Sequence, residues 1–282
     1  MFKKLLSTCL LMPTLVMASG DLCDPKTSTI GDCVMEINKR IKQLEEENQA
    51  QQEEIQALKT RLSLTDGLVA YYPFNGNAND VSGNENHGTV KGATLTKDRF
   101  GKSKSAYRFD GDNDCILAND TNSLDIQNSI SLLAWLKTDG LHKVGYGMIV
   151  AKHFTHDARA YALYDVNDIG SGKGLRLNLC EPNNVCHSLP DKPIDNAWHF
   201  VTGTYNKSSE TMKLYIDAVL VSENKIGQID LMQTSIPLSI GCYLDSNDGS
   251  KRRAFFHGII DDIRIYNRAL TDVEIQSLYK QR

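Results

Sequence analysis

The sequence predicts an all-β protein, with antiparallel strands packed as a sandwich or barrel, a helix ahead of them and a short helix behind. Three observations predict it. From Leu68 onward, short alternating or continuously apolar runs are separated by clusters of Gly, Asn, Asp and Pro, the pattern of strands and turns. Residues 34–62 repeat every seven residues instead. Near the end, Thr271 followed three residues later by Glu274 forms a capping box ahead of Ile275, Leu278 and Tyr279.

Taken in order, residues 1–18 read as a signal peptide. "MFKK" is basic, "LLSTCLLMPTLVMA" is apolar apart from Pro13, and Val16-Met17-Ala18 supplies small residues for cleavage. No later run is apolar enough to span a bilayer, so the chain is expected to be exported without a membrane span: periplasmic, at the cell surface or secreted. A net charge of −4 without a basic stripe argues against nucleic acid as a partner. Residues 19–33 carry Cys23 and Cys33. Beyond Cys9 in the leader six cysteines remain, and an even number in an exported chain points to disulfides. Cys180 and Cys186 enclose the turn-rich "EPNNV" and should face each other across a hairpin. Cys115 and Cys242 lie in separate strand-like runs and can join them. Cys23 and Cys33 can close a small loop or link neighbouring chains. No Cys/His spacing suits zinc.

Residues 34–63 read as a coiled-coil stalk. Val34, Ile41, Asn48, Ile55 and Leu62 fall seven apart, and Ile37, Leu44, Gln51 and Leu58 follow three residues on. Arg40 with Glu45, and Glu54 with Lys59, stand where flanking charges of parallel helices pair. A parallel homodimer or homotrimer through residues 34–62 is expected; the alternative is one amphipathic helix packed on its own head. "SLTDG" then leads without a Gly/Ser linker into "LVAYYPF", so the head is expected to span 66–282.

Within the head, "LVAYYPFNGNANDVSGNENHGTV", "AYRFDGDNDCIL", "SISLLAWLK", "DNAWHFVTGTYN", "KLYIDAVLV", "LSIG" and "GIIDDIRIYNRALTDVEIQSLY" occur in an order that resembles a laminin-G-like domain of the concanavalin A-like lectin/glucanase superfamily. The resemblance implies a jelly roll of two curved antiparallel sheets packed face to face. Two places depart from the family pattern. Cys115 stands where an aromatic is usual, which supports a local disulfide. Asp217-Ala218 stands at a hairpin tip that favours Asp-Gly or Asn-Gly. A two-residue I′ turn would cost the alanine about 1 kcal/mol, so the turn type is left open. The resemblance leaves the ligand unassigned, because members bind sugars, proteins or calcium, and some only space other domains.

Catalysis has no support in the residues. The paired acids of the family's glucanases, E-x-D-x-x-E on one strand, are absent, and no nucleophile triad or phosphate loop is readable. In "GIIDDIRIYNRAL", strict alternation puts Asp261 with Ile259, Ile263 and Ile265 on a buried face, where a carboxylate needs a partner. One reading is a calcium site of Asp80, Asp114 and Asp261, using the Asx-rich loops 75–86 and 110–114. The preferred reading is that Asp261 accepts hydrogen bonds from backbone amides of the first loop. Trp135 and Trp198 read as core rather than as glycan platforms. Tyr146, Tyr161, Tyr164 and Tyr243 are candidates for exposure but form no visible cluster. His153, His156, Asp157 and Arg159 in "KHFTHDARAY", and the stretch "DSNDGSKRR", read as solvated loops. The expected function is non-catalytic recognition of a glycan or protein by a multimerised head. The alternative is a structural or spacer component, and a polysaccharide-acting enzyme ranks third.

Overall fold

The computed structural model describes residues 29–139, 145–154, 158–168, 172–190, 192–245 and 251–281. The expected signal peptide, Cys23, His156 and Asp157 lie outside these ranges, and so does the proposed pairing of Cys23 with Cys33; Cys33 is disulfide-bonded. The chain divides into two compact units, residues 1–59 and 60–282.

The helix Ile30–Ser63 makes up most of the described part of the first unit. Its start is fixed by Thr29 and Asp32, each accepting from the other's backbone N–H at 3.2 and 3.0 Å, so two amides with no intrahelical partner are satisfied. Beyond Gly31 the sequence has neither Gly nor Pro until the helix ends. The seam positions Val34, Ile37, Ile41, Leu44, Ile55, Leu58 and Leu62 are all exposed.

The second unit is a sandwich of two sheets. The first sheet runs in the order Val219–Lys225, Thr211–Ile216, Trp198–Asn206, Ile130–Thr138, His257–Tyr266, Ala106–Asp110, Thr94–Thr96, and Leu68–Tyr72 also pairs with His257–Tyr266. The second runs Cys186–Ser188, Gly172–Cys180, Ala158–Asp168, Gly145–Phe154, Leu238–Ile240, Cys115–Ala118, Gly88–Lys91; the short pair Tyr243–Leu244 and Arg252–Arg253 joins it beside Gly145–Phe154. Alternation sends Leu132, Ala134, Leu136, Val201 and Leu214 of the first sheet inward to meet Tyr161, Leu163, Leu175, Leu177 and Leu179 of the second.

The outer face of the first sheet is covered as well. Leu133, Trp135, Phe200, Tyr215 and Tyr266 pack against Leu64, Leu270 and the C-terminal helix Asp272–Tyr279 through Ile275 and Leu278. Trp135 is therefore buried, but beneath this helix, with its ring 5.5 Å from that of Tyr279, and not between the sheets. The expected capping box of Thr271 and Glu274 is present. Burial would raise the pKa of Glu274, yet Arg268 and the Thr271 bonds hold its carboxyl down at about 2. Arg268 also donates to the carbonyls of Ser63 and Asp66, fastening the entry to the sandwich.

Two disulfides close the head. Cys180–Cys186 has an S–S distance of 2.05 Å and bridges directly opposed residues of a hairpin. Cys115–Cys242 links positions 127 apart and is packed with Leu244, Leu117 and Phe255. The Asp217-Ala218 tip, left open by the sequence, has both residues at positive φ, 51° and 59°, as a I′ turn requires. It is held there because Asp217 accepts from the Phe200 amide at 2.9 Å, and Gln276 donates to the Ala218 carbonyl at 2.8 Å.

Strict alternation fails in the His257–Tyr266 strand. Asp261 pairs with Trp135, but Arg264 pairs with Leu133, so one extra residue is inserted, and Asp262 takes a φ of 47°. The bulge lies where the strand's neighbour changes from Ala106–Asp110 to Leu68–Tyr72. It keeps Ile260, Ile263 and Ile265 in the inter-sheet core while Ile259 is half-exposed. Asp261 thus lies beside Trp135 rather than among core isoleucines. Its partner is neither the first loop nor a set of acids but Arg99, at 3.0 Å; Arg99 also meets Asp262 at 2.7 Å and stacks on Phe100 and Trp135.

Candidate functional site

The outer face of the second sheet bears a pocket. Gly145–Phe154 and Ala158–Asp168 are neighbours, and their outward positions carry Met148, Ala151, Ala162, Tyr164 and Val166. Met148 and Tyr164 are directly paired, and Tyr243 and Ala254 pack against this apolar floor. Tyr146 stands at its edge, 40 % exposed, with its ring perpendicular to Tyr164 at 5.6 Å between centroids. The result is a cavity of about 350 Å³.

Its polar wall comes mostly from residues of the stretches "KHFTHDARAY" and "DSNDGSKRR", which the sequence placed in loops. His153 and Arg159 are strand residues opposite each other in the register. His153 Nδ1 and Arg159 Nε are buried without a hydrogen-bond partner. Burial, and secondarily the Arg159 charge, push the His153 pKa down to about 4, so the imidazole is neutral at physiological pH. Its ring tilts against Tyr243 at 5.0 Å. Arg253, from the "DSNDGSKRR" stretch, and Asn178 complete the lining. No carboxylate is among the described lining residues; Asp245 meets Arg253 from outside the lining, at 2.6 Å. The arrangement is an aromatic, partly apolar hollow with guanidinium donors at its wall, suited to holding a ligand.

The four tyrosines therefore divide. Tyr146, Tyr164 and Tyr243 converge on one cavity, whereas Tyr161 is fully buried and donates to the Leu124 carbonyl at 3.1 Å. Among the described residues, no group of three or more His, Cys, Asp or Glu is placed to hold a metal ion. Asp80 accepts from the amides of Tyr71, Ser82 and Asn86 at 2.8–3.0 Å, the first-loop role expected of Asp261. Asp114 accepts from the Asp110 amide at 2.9 Å, and burial raises its pKa. Another hollow, of about 430 Å³, lies over the first sheet between Thr204, Thr211 and Thr271; Tyr215, an aromatic among its described lining residues, donates its hydroxyl to Asp272.

A family model described as the concanavalin A-like lectin/glucanases superfamily matches residues 109–276. The chain is 25 % identical over 182 residues to the non-toxic nonhemagglutinin type A of Clostridium botulinum, covering 64 % of this chain and 14 % of that one. Among solved structures, the binding domain of Paraclostridial Mosquitocidal Protein 1 superposes with a TM-score of 0.60 at 19 % identity, over 77 % of this chain and 52 % of that one. The binding domain of botulinum neurotoxin DC in complex with SialylT gives 0.58 at 16 %, over 76 % and 51 %. The chain thus spans about half the length of these structures and a seventh of the curated relative, and at such identity the structural likeness is one of fold.

Proposed function

The chain belongs to the concanavalin A-like lectin/glucanases superfamily, and on that premise we propose that it is an exported, non-catalytic binding protein whose head recognises a glycan through the pocket of Tyr146, Tyr164 and Tyr243. The observation that carries this reading is the convergence of three tyrosines with His153 and Arg159, two of whose polar atoms the protein leaves unpaired. Sugars present C–H faces to aromatic rings and hydroxyls to such polar atoms. The SialylT complex of a structural neighbour and its assignment as a binding domain are consistent with it. The two disulfides support a location outside the reducing cytoplasm. Among the described residues no helix is long and apolar enough to cross a membrane.

The stalk supplies the second half of the mechanism. A second copy of the chain covers its exposed heptad seam, with the Arg40–Glu45 and Glu54–Lys59 relations setting a parallel register. Linked heads turn weak sites into effective ones, by roughly 10²–10⁴ when the receptor geometry permits.

The test is an array of glycans and of protein receptors probed with the intact chain and with Tyr146→Ala. Tyr146 is partly exposed, so the substitution should leave the fold intact while lowering glycan signal by about ten-fold, the worth of one lost aromatic contact. A blank glycan array with a protein hit would transfer the reading to protein recognition, and blanks on both would leave a spacer.

A further inference from the structure

The pocket is asymmetric in charge, and this sets the class of ligand. Arg159 and Arg253 line it and no described lining residue is acidic. Arg176 lies just outside, its guanidinium 5.9 Å from the Tyr164 ring centroid. Arg253 is held from behind by Asp245 and keeps most of its surface in solvent, its side chain 69 % exposed. Arg159 has the reverse environment: it is partly buried, its Nε has no hydrogen-bond partner, and the imidazole paired with it across the strands is neutral rather than a competing cation. A wall with fixed positive charge beside aromatic faces is poorly matched to a neutral sugar, which offers no charge to the partly buried Arg159 guanidinium. A carboxylate matches a guanidinium fork in both charge and geometry.

We infer that the ligand is a sugar bearing a carboxylate, with its ring against Tyr146 and Tyr164 and its acid group on Arg159 and Arg253. The inference rests on the reading of this pocket as the glycan-binding face. It also explains why the pocket keeps Arg159 where an apolar residue would give a more stable sheet surface, since a buried donor without a partner is a standing cost.

The experiment compares matched sugars that differ in the acid group: glucuronate with glucose, galacturonate with galactose, and N-acetylneuraminate with its C1 alcohol, titrated into the full chain by ligand-observed NMR. At least one acid should bind about ten-fold more tightly than its neutral partner, as one charge-assisted bond allows. That preference should shrink in 0.5 M salt, since the site is half open. Arg159→Gln should bring each pair to parity, and Arg253→Gln, at an exposed position that folding tolerates, should reduce the preference in the same direction. Neutral partners that bind as well as the acids, with Tyr146→Ala abolishing both, would overturn the acid inference and leave the pocket assigned. If no sugar in the panel binds while the array shows a glycan hit, the acid inference also falls. If the array is blank too, the glycan reading falls with it.

Discussion

Lys152→Ala is expected to lower the unfolding free energy of the β domain by about 3–5 kcal/mol, the cost of breaking a buried ionic group by removing one side of it. The Lys152 side chain is fully buried on the Gly145–Phe154 strand. Its ammonium lies 2.6 Å from Asp120, 2.5 Å from Asp125 and 2.7 Å from the Thr234 carbonyl. All three of its protons are used, and three segments far apart in sequence meet on one nitrogen. Removing the charge leaves two carboxylates, 31 % and 21 % exposed, facing each other without a cation, and a carbonyl with no donor. Lys152→Met keeps most of the aliphatic stem and separates packing from charge; it should recover only a minority of the loss. Asp120→Asn should cost far less, because Asp120 reaches solvent and Asp125 remains. Urea unfolding midpoints at neutral pH check the series. A loss under about 1 kcal/mol for Lys152→Ala would place this group among ordinary surface ion pairs.

Arg99→Met is expected to cost about 3 kcal/mol or more, with a pH dependence that identifies the cause. Arg99 is enclosed between Phe100 and Trp135 and faces two adjacent carboxylates, Asp261 and Asp262. One cation does not neutralise both. Burial, and then the neighbouring Asp262, push the Asp261 pKa up to about 8, against the pull of Arg99. Between the ordinary carboxylate range near 4 and pH 8 the folded state then holds a proton that the unfolded chain has released. Stability therefore falls as pH rises through that window. Without Arg99 the fall should continue to higher pH, because the cation that holds the Asp261 pKa down is gone. Asp261→Asn keeps an acceptor for Arg99 and removes the titration, so it should flatten the slope and be most favourable relative to the parent at pH 8. Thermal unfolding of the three proteins from pH 5 to 9 decides this. A slope unchanged by Asp261→Asn would mean that another group carries it.

These two groups also mark where the sequence stops being legible. The sandwich was readable because alternation in "SISLLAWLK" and "WHFVTGTY" is local, and because the Thr271–Glu274 capping box lies within four residues. Gly88–Lys91 gives little strand signal because its residues are mostly exposed and alternate weakly. The bulge at Asp261 was invisible because the insertion is defined by the partner strand's register. Lys152 carries no local sign of burial, because its partners lie 27, 32 and 82 positions away.

The pocket was half legible. The "KHFTHDARAY" stretch contains two of its polar residues, but its run of His, Thr, Asp and Arg lacks apolar alternation and so reads as a loop. The signal that could have found it is the outward phase of the two strands. Tyr146 and Met148 on one, and Ala162 and Tyr164 on the other, are apolar or aromatic on a face that a two-sheet sandwich turns to solvent. Tyr243 and Arg253 arrive only through the tertiary fold.

On the proposed reading, ligand contact falls on the outer face of the second sheet. The most direct measurement is amide hydrogen exchange of the full chain with and without the glycan that the array identifies. Protection should concentrate in 145–154, 158–168 and the segments 243–245 and 251–254. Protection confined to 198–216 and 269–273, over the opposite sheet, would contradict it.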